Sequence, residues 1–173
     1  MLRGLVAIVA LAGVCVSACS SSSKKDPDDP KTVPEGIGPE DAFFAIKQRF
    51  RNGTPEKILA IRMAKANVCD RKAVPNGTEW VDLIVAVPPG SDIPAAVYGV
   101  GLDGQADIVL QTAKSAECQS SQGLGASRGS ITIQELSANH VKGSFVGSNA
   151  DTKLDLSGTF LAKKCPDELN ACL

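Results

Sequence analysis

The stretch "GSITIQELSANHVKGSFVGSNADTKLDLSGTFLAKKC", residues 129–165, decides the fold class. It contains three runs in which apolar residues alternate with polar or small ones, the period-two pattern of half-buried β-strands. Ile131 and Ile133 share a face, as do Val141 and Phe145 with Gly143 between them. Leu154, Leu156 and Phe160 form the third set, with Gly158 inside it. Gly143-Ser144-Phe145 and Gly158-Thr159-Phe160 repeat one small-hydroxyl-aromatic pattern. Glycine inside a strand marks a bulge or a close approach by a neighbour. The expectation here is that each glycine lets an aromatic ring lie over it.

Working upstream, "WVDLIVAV" at 80–87 is apolar on both faces and reads as a central strand stopped by Pro88-Pro89-Gly90. "AAVYGVG" and "ADIVLQT" flank Leu102-Asp103-Gly104 and are expected to form a hairpin. A polar, glycine-rich loop is expected from about 113 to 129. "AFFAIKQRF" and "KILAIRMAK" lie either side of Asn52-Gly53, a hairpin-turn dipeptide. A helix starting at Thr54 and Pro55 competes for the second run, because Thr suits an N-cap and Pro the first helical position. The fold class predicted is all-β: a single antiparallel β-sandwich over residues 40–173, with an irregular β-barrel as the alternative.

Residues 1–39 have another character. One arginine, Arg3, precedes an apolar and small run from Leu5 to Ala18. A bilayer-crossing helix needs about 20 apolar residues. A short run behind a basic start is the mark of a signal peptide. It ends in Val16-Ser17-Ala18-Cys19. That ending resembles the lipobox of bacterial lipoproteins. The resemblance implies cleavage after residue 18, acylation of Cys19, and loss of Cys15 with the peptide. Ser20 after the anchor points to the outer membrane. Residues 19–39, rich in Ser, Pro and charge, are expected to be a disordered linker from the lipid to the domain, because their composition buries too little to offset ordering entropy. Asp26, Asp28 and Asp29 lack the ligand spacing of an EF-hand loop.

The order "GSITIQEL", "VKGSF", "LSGTFLAKKC", with "KILAIRMAKANVCD" upstream, further resembles small bacterial lipoproteins of uncharacterised activity. It implies strands over 57–66 and says little about chemistry.

Four cysteines remain in the expected mature chain: Cys69, Cys118, Cys165 and Cys172. An exported chain with an even number of cysteines favours disulfides over metal binding, especially with no Cys-x-x-Cys pair and one histidine, His140. Cys69–Cys118 with Cys165–Cys172 is the simplest pairing; Cys69–Cys165 is its rival.

The chain carries 18 basic and 19 acidic residues and no basic cluster, which argues against nucleic-acid binding. "GASRG", Gly125–Gly129, matches the G-x-S-x-G of the hydrolase nucleophile elbow. That elbow needs a strand before the serine and a helix after it, and here a loop and a β-rich run stand there. Ser127 with Glu135 and His140 is therefore the weaker hypothesis. No cofactor or metal is expected. Trp80 and Tyr98, the single tryptophan and tyrosine, are too few for a carbohydrate-stacking surface. The function expected is a noncatalytic envelope lipoprotein that binds a protein partner or serves structurally. A small-molecule or lipid-binding module is the alternative. The membrane, through the N-terminal lipid, is the one partner the residues specify.

Overall fold

The computed structural model describes residues 28–65, 75–101, 104–114 and 121–165. These residues form nine strands and no helix. The strands are β1 (Ala42–Arg51), β2 (Thr54–Met63), β3 (Glu79–Val87), β4 (Val97–Val100), β5 (Ala106–Ala113), β6 (Ser121–Gly125), β7 (Arg128–Leu136), β8 (His140–Asn149) and β9 (Leu154–Lys164). All belong to one mixed sheet, ordered β3-β2-β1-β9-β8-β7-β4-β5-β6, and a further β3–β5 pairing returns the sheet upon itself.

The predicted β1–β2 hairpin is present, and the helix alternative is not. Asn52 and Gly53 both take positive φ, 51° and 80°, the geometry of a two-residue turn whose twist matches its strands. Arg51 then faces Thr54, and the register runs back to Ala42 opposite Met63. β3 pairs with both β2 and β5, so it is a central strand as its two apolar faces require. The three alternating runs of 129–165 are β7, β8 and β9, which pair in sequence as a meander.

Antiparallel pairing organises the strands into two blocks, β1-β2-β3-β5-β6 and β4-β7-β8-β9. Two parallel seams join them. One is Phe43–Lys163 and Phe44–Lys164. The other is the single pair Val100–Ala106. Alternate residues from both blocks fill one core, including Phe44, Leu59, Ile61, Leu83, Ile108, Ile131, Leu156 and Phe160.

Three local expectations are corrected. β4 and β5 are not a hairpin: they run parallel, and β4 pairs antiparallel with β7 instead. The chain thus passes from one block to the other without reversing, through Gly101 at φ 144°. The polar loop expected over 113–129 contains β6, whose Leu124 packs on the core opposite Leu110 of β5. Of the linker expected to be disordered over 19–39, residues 28–39 lie on the sheet, and 19–27 fall outside the described residues. Lys31 bridges Leu154 in parallel, its N–H donating to the Lys153 carbonyl at 2.7 Å and its carbonyl accepting from Asp155 at 2.9 Å. The Leu161 N–H donates to the Pro39 carbonyl at 2.8 Å. Val33 and Ile37 pack against the core, and Pro30, Pro34 and Pro39 reduce the entropy lost when the segment is laid down. This strap, residues 31–41, runs along the part of β9 that β1 does not reach.

The Gly–Phe expectation holds, and it is reciprocal. Gly143 faces Phe160 across β8–β9, and Phe145 faces Gly158. A Cβ on Gly158 would lie 3.1 Å from the Phe145 ring. A Cβ on Gly143 would lie 2.6 Å from Phe160 and would strike the Thr132 carbonyl oxygen. Backbone cannot yield as a side chain can. Gly143→Ala should therefore lose on the order of 1–3 kcal/mol in urea unfolding, the range for overpacking, and Gly158→Ala distinctly less. Equal losses would refute the backbone clash.

Candidate functional site

The residues singled out by the sequence are placed far apart. Ser127 precedes β7, where its N–H and Oγ both donate to the Ser148 carbonyl, at 2.9 and 3.3 Å. His140 opens β8 at the opposite end of the β7–β8 hairpin, beyond Leu136–Val141. Strand rise puts roughly 25–30 Å between them. The Ser127 triad is not assembled.

His140 instead closes the β7–β8 turn. Its Nε2 lies 2.7 Å from Glu135 Oε1, and its Nδ1 lies 2.9 Å from Ser137 Oγ. This resembles a relay in outline. However, Ser137 Oγ already accepts from the His140 N–H at 3.0 Å and the Asn139 N–H at 3.3 Å. Both of its acceptor positions are used, and the same two N–H groups point at the serine rather than at a substrate oxygen. The group is built to hold a turn. Residue spacing alone hid it, because the notable serine was Ser127 and the partner is Ser137.

Among the described residues, a buried polar cluster lies elsewhere, on the outer face of β2 and β3. Arg62 and Asp82 are each 1% exposed. Arg62 Nε donates to Asp82 Oδ1 at 2.7 Å, and Nη2 donates to Oδ2 at 3.1 Å. Trp80 Nε1–H donates to the same Oδ2 at 3.0 Å, and the guanidinium carbon lies 5.0 Å from the Trp80 ring centroid. Around them Ala60, Ala64, Ala86, Ala113, Ile58 and Cys165 make a second apolar cluster. The signal was in the sequence: Arg62 and Asp82 are charges inside otherwise apolar runs, and the β2–β3 register sets them directly opposite. Enclosed this fully, the pair has no open coordination for a ligand and works as a structural link. Removing one partner leaves a buried charge, so Arg62→Ala or Asp82→Ala should each cost about 3–5 kcal/mol. The double replacement Arg62→Met/Asp82→Leu should cost clearly less than the two single changes together, as read by denaturant unfolding.

Cys165 is 3% exposed and disulfide-bonded. It is the one cysteine among the described residues; Cys19, Cys69, Cys118 and Cys172 lie outside them, and so does its disulfide partner. Trp80 and Tyr98 are 1% and 4% exposed, so neither offers a stacking surface. Among the described residues no group of three or more His, Cys, Asp or Glu side chains is placed to hold a metal ion.

Clefts lie at the surface. One of about 380 Å³ sits beneath the strap, between Val33–Pro39 and Met63, Phe145 and Ser157–Thr159. Another, of about 490 Å³, lies where the strap enters, around Pro30, Arg128, Asn149 and Lys153. A third, of about 250 Å³, lies between Arg51–Glu56 and Pro88–Pro89.

Tyr98 projects into the core, and its hydroxyl donates to the Pro94 carbonyl at 2.7 Å. Burial pushes its pKa up from the ordinary value of 10.0. The neutral phenol is the form the fold holds, so its contribution to stability is full below that value. It is lost as pH climbs through the unfolded pKa toward the raised folded one. Because Tyr98 is the single tyrosine, the phenolate absorbance band reports it alone. That band should develop above the ordinary tyrosine range. A midpoint at or below 10 with the fold intact would contradict the burial.

No known protein-family model matches the chain, and no match was found among curated proteins or among solved structures. The fold and its clusters define a small all-β domain.

Proposed function

We propose that the chain is a bacterial cell-envelope lipoprotein, anchored through Cys19 to the outer membrane, with a noncatalytic β domain that binds an envelope partner or serves structurally. One observation carries this reading. The apolar run Leu5–Ala18 ends in Val16-Ser17-Ala18-Cys19 and is followed at once by "SSSSKKDP". A single acyl chain binds a bilayer reversibly, whereas two or more give stable anchoring, so lipidation of one cysteine suffices to keep a water-compatible domain at the surface. The closed turn at His140, the enclosed Arg62–Asp82 pair and the separation of Ser127 from His140 support a binding or structural role.

The test is chemical. Mass spectrometry of the mature wild-type protein should find Cys19 as the first residue, bearing diacylglycerol. Cys19→Ser should shift the protein from the detergent phase to the aqueous phase in phase partitioning, or leave it unprocessed. An unmodified Cys19 in mature wild-type protein would overturn the proposal.

A further inference from the structure

We infer that the domain stands on the membrane in one orientation, with the β8–β9 turn against the lipid headgroups and the β1–β2 hairpin pointing away. This rests on the anchoring reading above and adds the surface that meets the bilayer. The strap is ordered from Asp28 and pinned at Lys31 to Lys153 and Asp155, beside the β8–β9 turn. Lys153 Nζ also pairs with Asp28. Residues 20–27 lie between Cys19 and Asp28, and those nine Cα–Cα steps span at most about 32 Å even when fully extended. The β8–β9 turn is therefore held close to the bilayer, whatever path those residues take.

The opposite end follows from the stagger of the strands. β1 begins where β9 ends, with Phe43 opposite Lys163, and runs in the same direction. The hairpin tip thus lies beyond the far end of β9, where Arg49 and Arg51 tie it to Asp107 of β5. Phe50 at that tip is 75% exposed and Ile46 is 48% exposed, as expected where β1 has outrun its partner.

The chemistry of the near end fits zwitterionic headgroups. Arg128, Lys153 and Asp155 line the cleft of about 490 Å³, Lys153 pairs with Asp28, and Lys31 and Asp151 adjoin them along the chain and the strap. Asn149 and Ser148 are already engaged: Asn149 Nδ2 donates to the Gly125 carbonyl at 2.9 Å, its Oδ1 accepts from the Asp151 N–H at 3.1 Å, and Arg128 Nε donates to Ser148 Oγ at 3.0 Å. With the charges balanced, the tether sets the approach and net charge contributes little, so apposition should persist at high salt.

Full-length lipidated protein would carry p-azidophenylalanine at Ala150 or at Phe50, each coupled to a fluorophore. Both forms would be reconstituted in phosphatidylcholine vesicles containing a headgroup-linked quencher. The label at 150 should be quenched at least about threefold more than the label at 50, with and without high salt. Labels at Asp151 and Thr54 should give the same order and stand in for a position that impairs folding. Acylation of Cys19 is verified by mass on the same samples. With Cys19 acylated, equal or reversed quenching overturns the orientation and leaves the anchor standing. If Cys19 is not acylated, the anchoring reading fails, and the orientation with it.

Discussion

The architecture depends on a mismatch of reach between β1 and β9. The two strands meet only at Phe43–Lys163 and Phe44–Lys164 before β1 leaves its partner behind. Below that point the edge of β9, and the core residues Met63 and Phe145 behind it, need another cover. The strap supplies it, using backbone bonds at Lys31 and Pro39 and the apolar side chains of Val33 and Ile37. One seam thus explains why a proline-rich, charged segment is ordered, why a cleft remains beneath it, and why the β1–β2 hairpin projects.

Packing within the β8–β9 pair shows the same economy at a smaller scale. Each strand supplies a glycine under the other's phenylalanine, so two aromatic rings enter one layer without forcing the strands apart. Gly147 does the corresponding work between the blocks, where a Cβ would come within 3.0 Å of Ile108 on β5. On the outer face of β2 and β3 the solution is different. A bidentate ion pair is set among small alanines, with an indole N–H donating to the same carboxylate.

Legibility in the sequence followed the range of the interactions. Asn52-Gly53 is a local instruction, and it held. So did the alternation of the last forty residues, because a strand with one buried face must repeat every second residue. What failed depended on distant partners. "AAVYGVG" and "ADIVLQT" look like a hairpin when read alone; β4 belongs with β7 because the core spans both blocks. β6 is too short and too glycine-rich to announce itself, and it exists because β5 offers an edge. The linker's composition signalled disorder, yet two well-spaced apolar residues, Val33 and Ile37, and three prolines accompany a second half laid on the sheet. For the candidate sites, the motif at Ser127 was a local match without its geometric context, whereas Arg62 and Asp82 became legible only through the β2–β3 register.

The placement of the two rare aromatics divides the molecule for an observer. Trp80, the single tryptophan, belongs to the outer cluster with Cys165, and Tyr98, the single tyrosine, belongs to the inner core. Emission from the indole and absorbance from the phenol therefore watch opposite faces of one sheet. If the two faces melt together, both signals trace a single transition and the domain is one cooperative unit. If the outer face loosens first, the indole signal moves while the phenol stays put. The chain carries its own pair of native reporters, one for each core, with no label added.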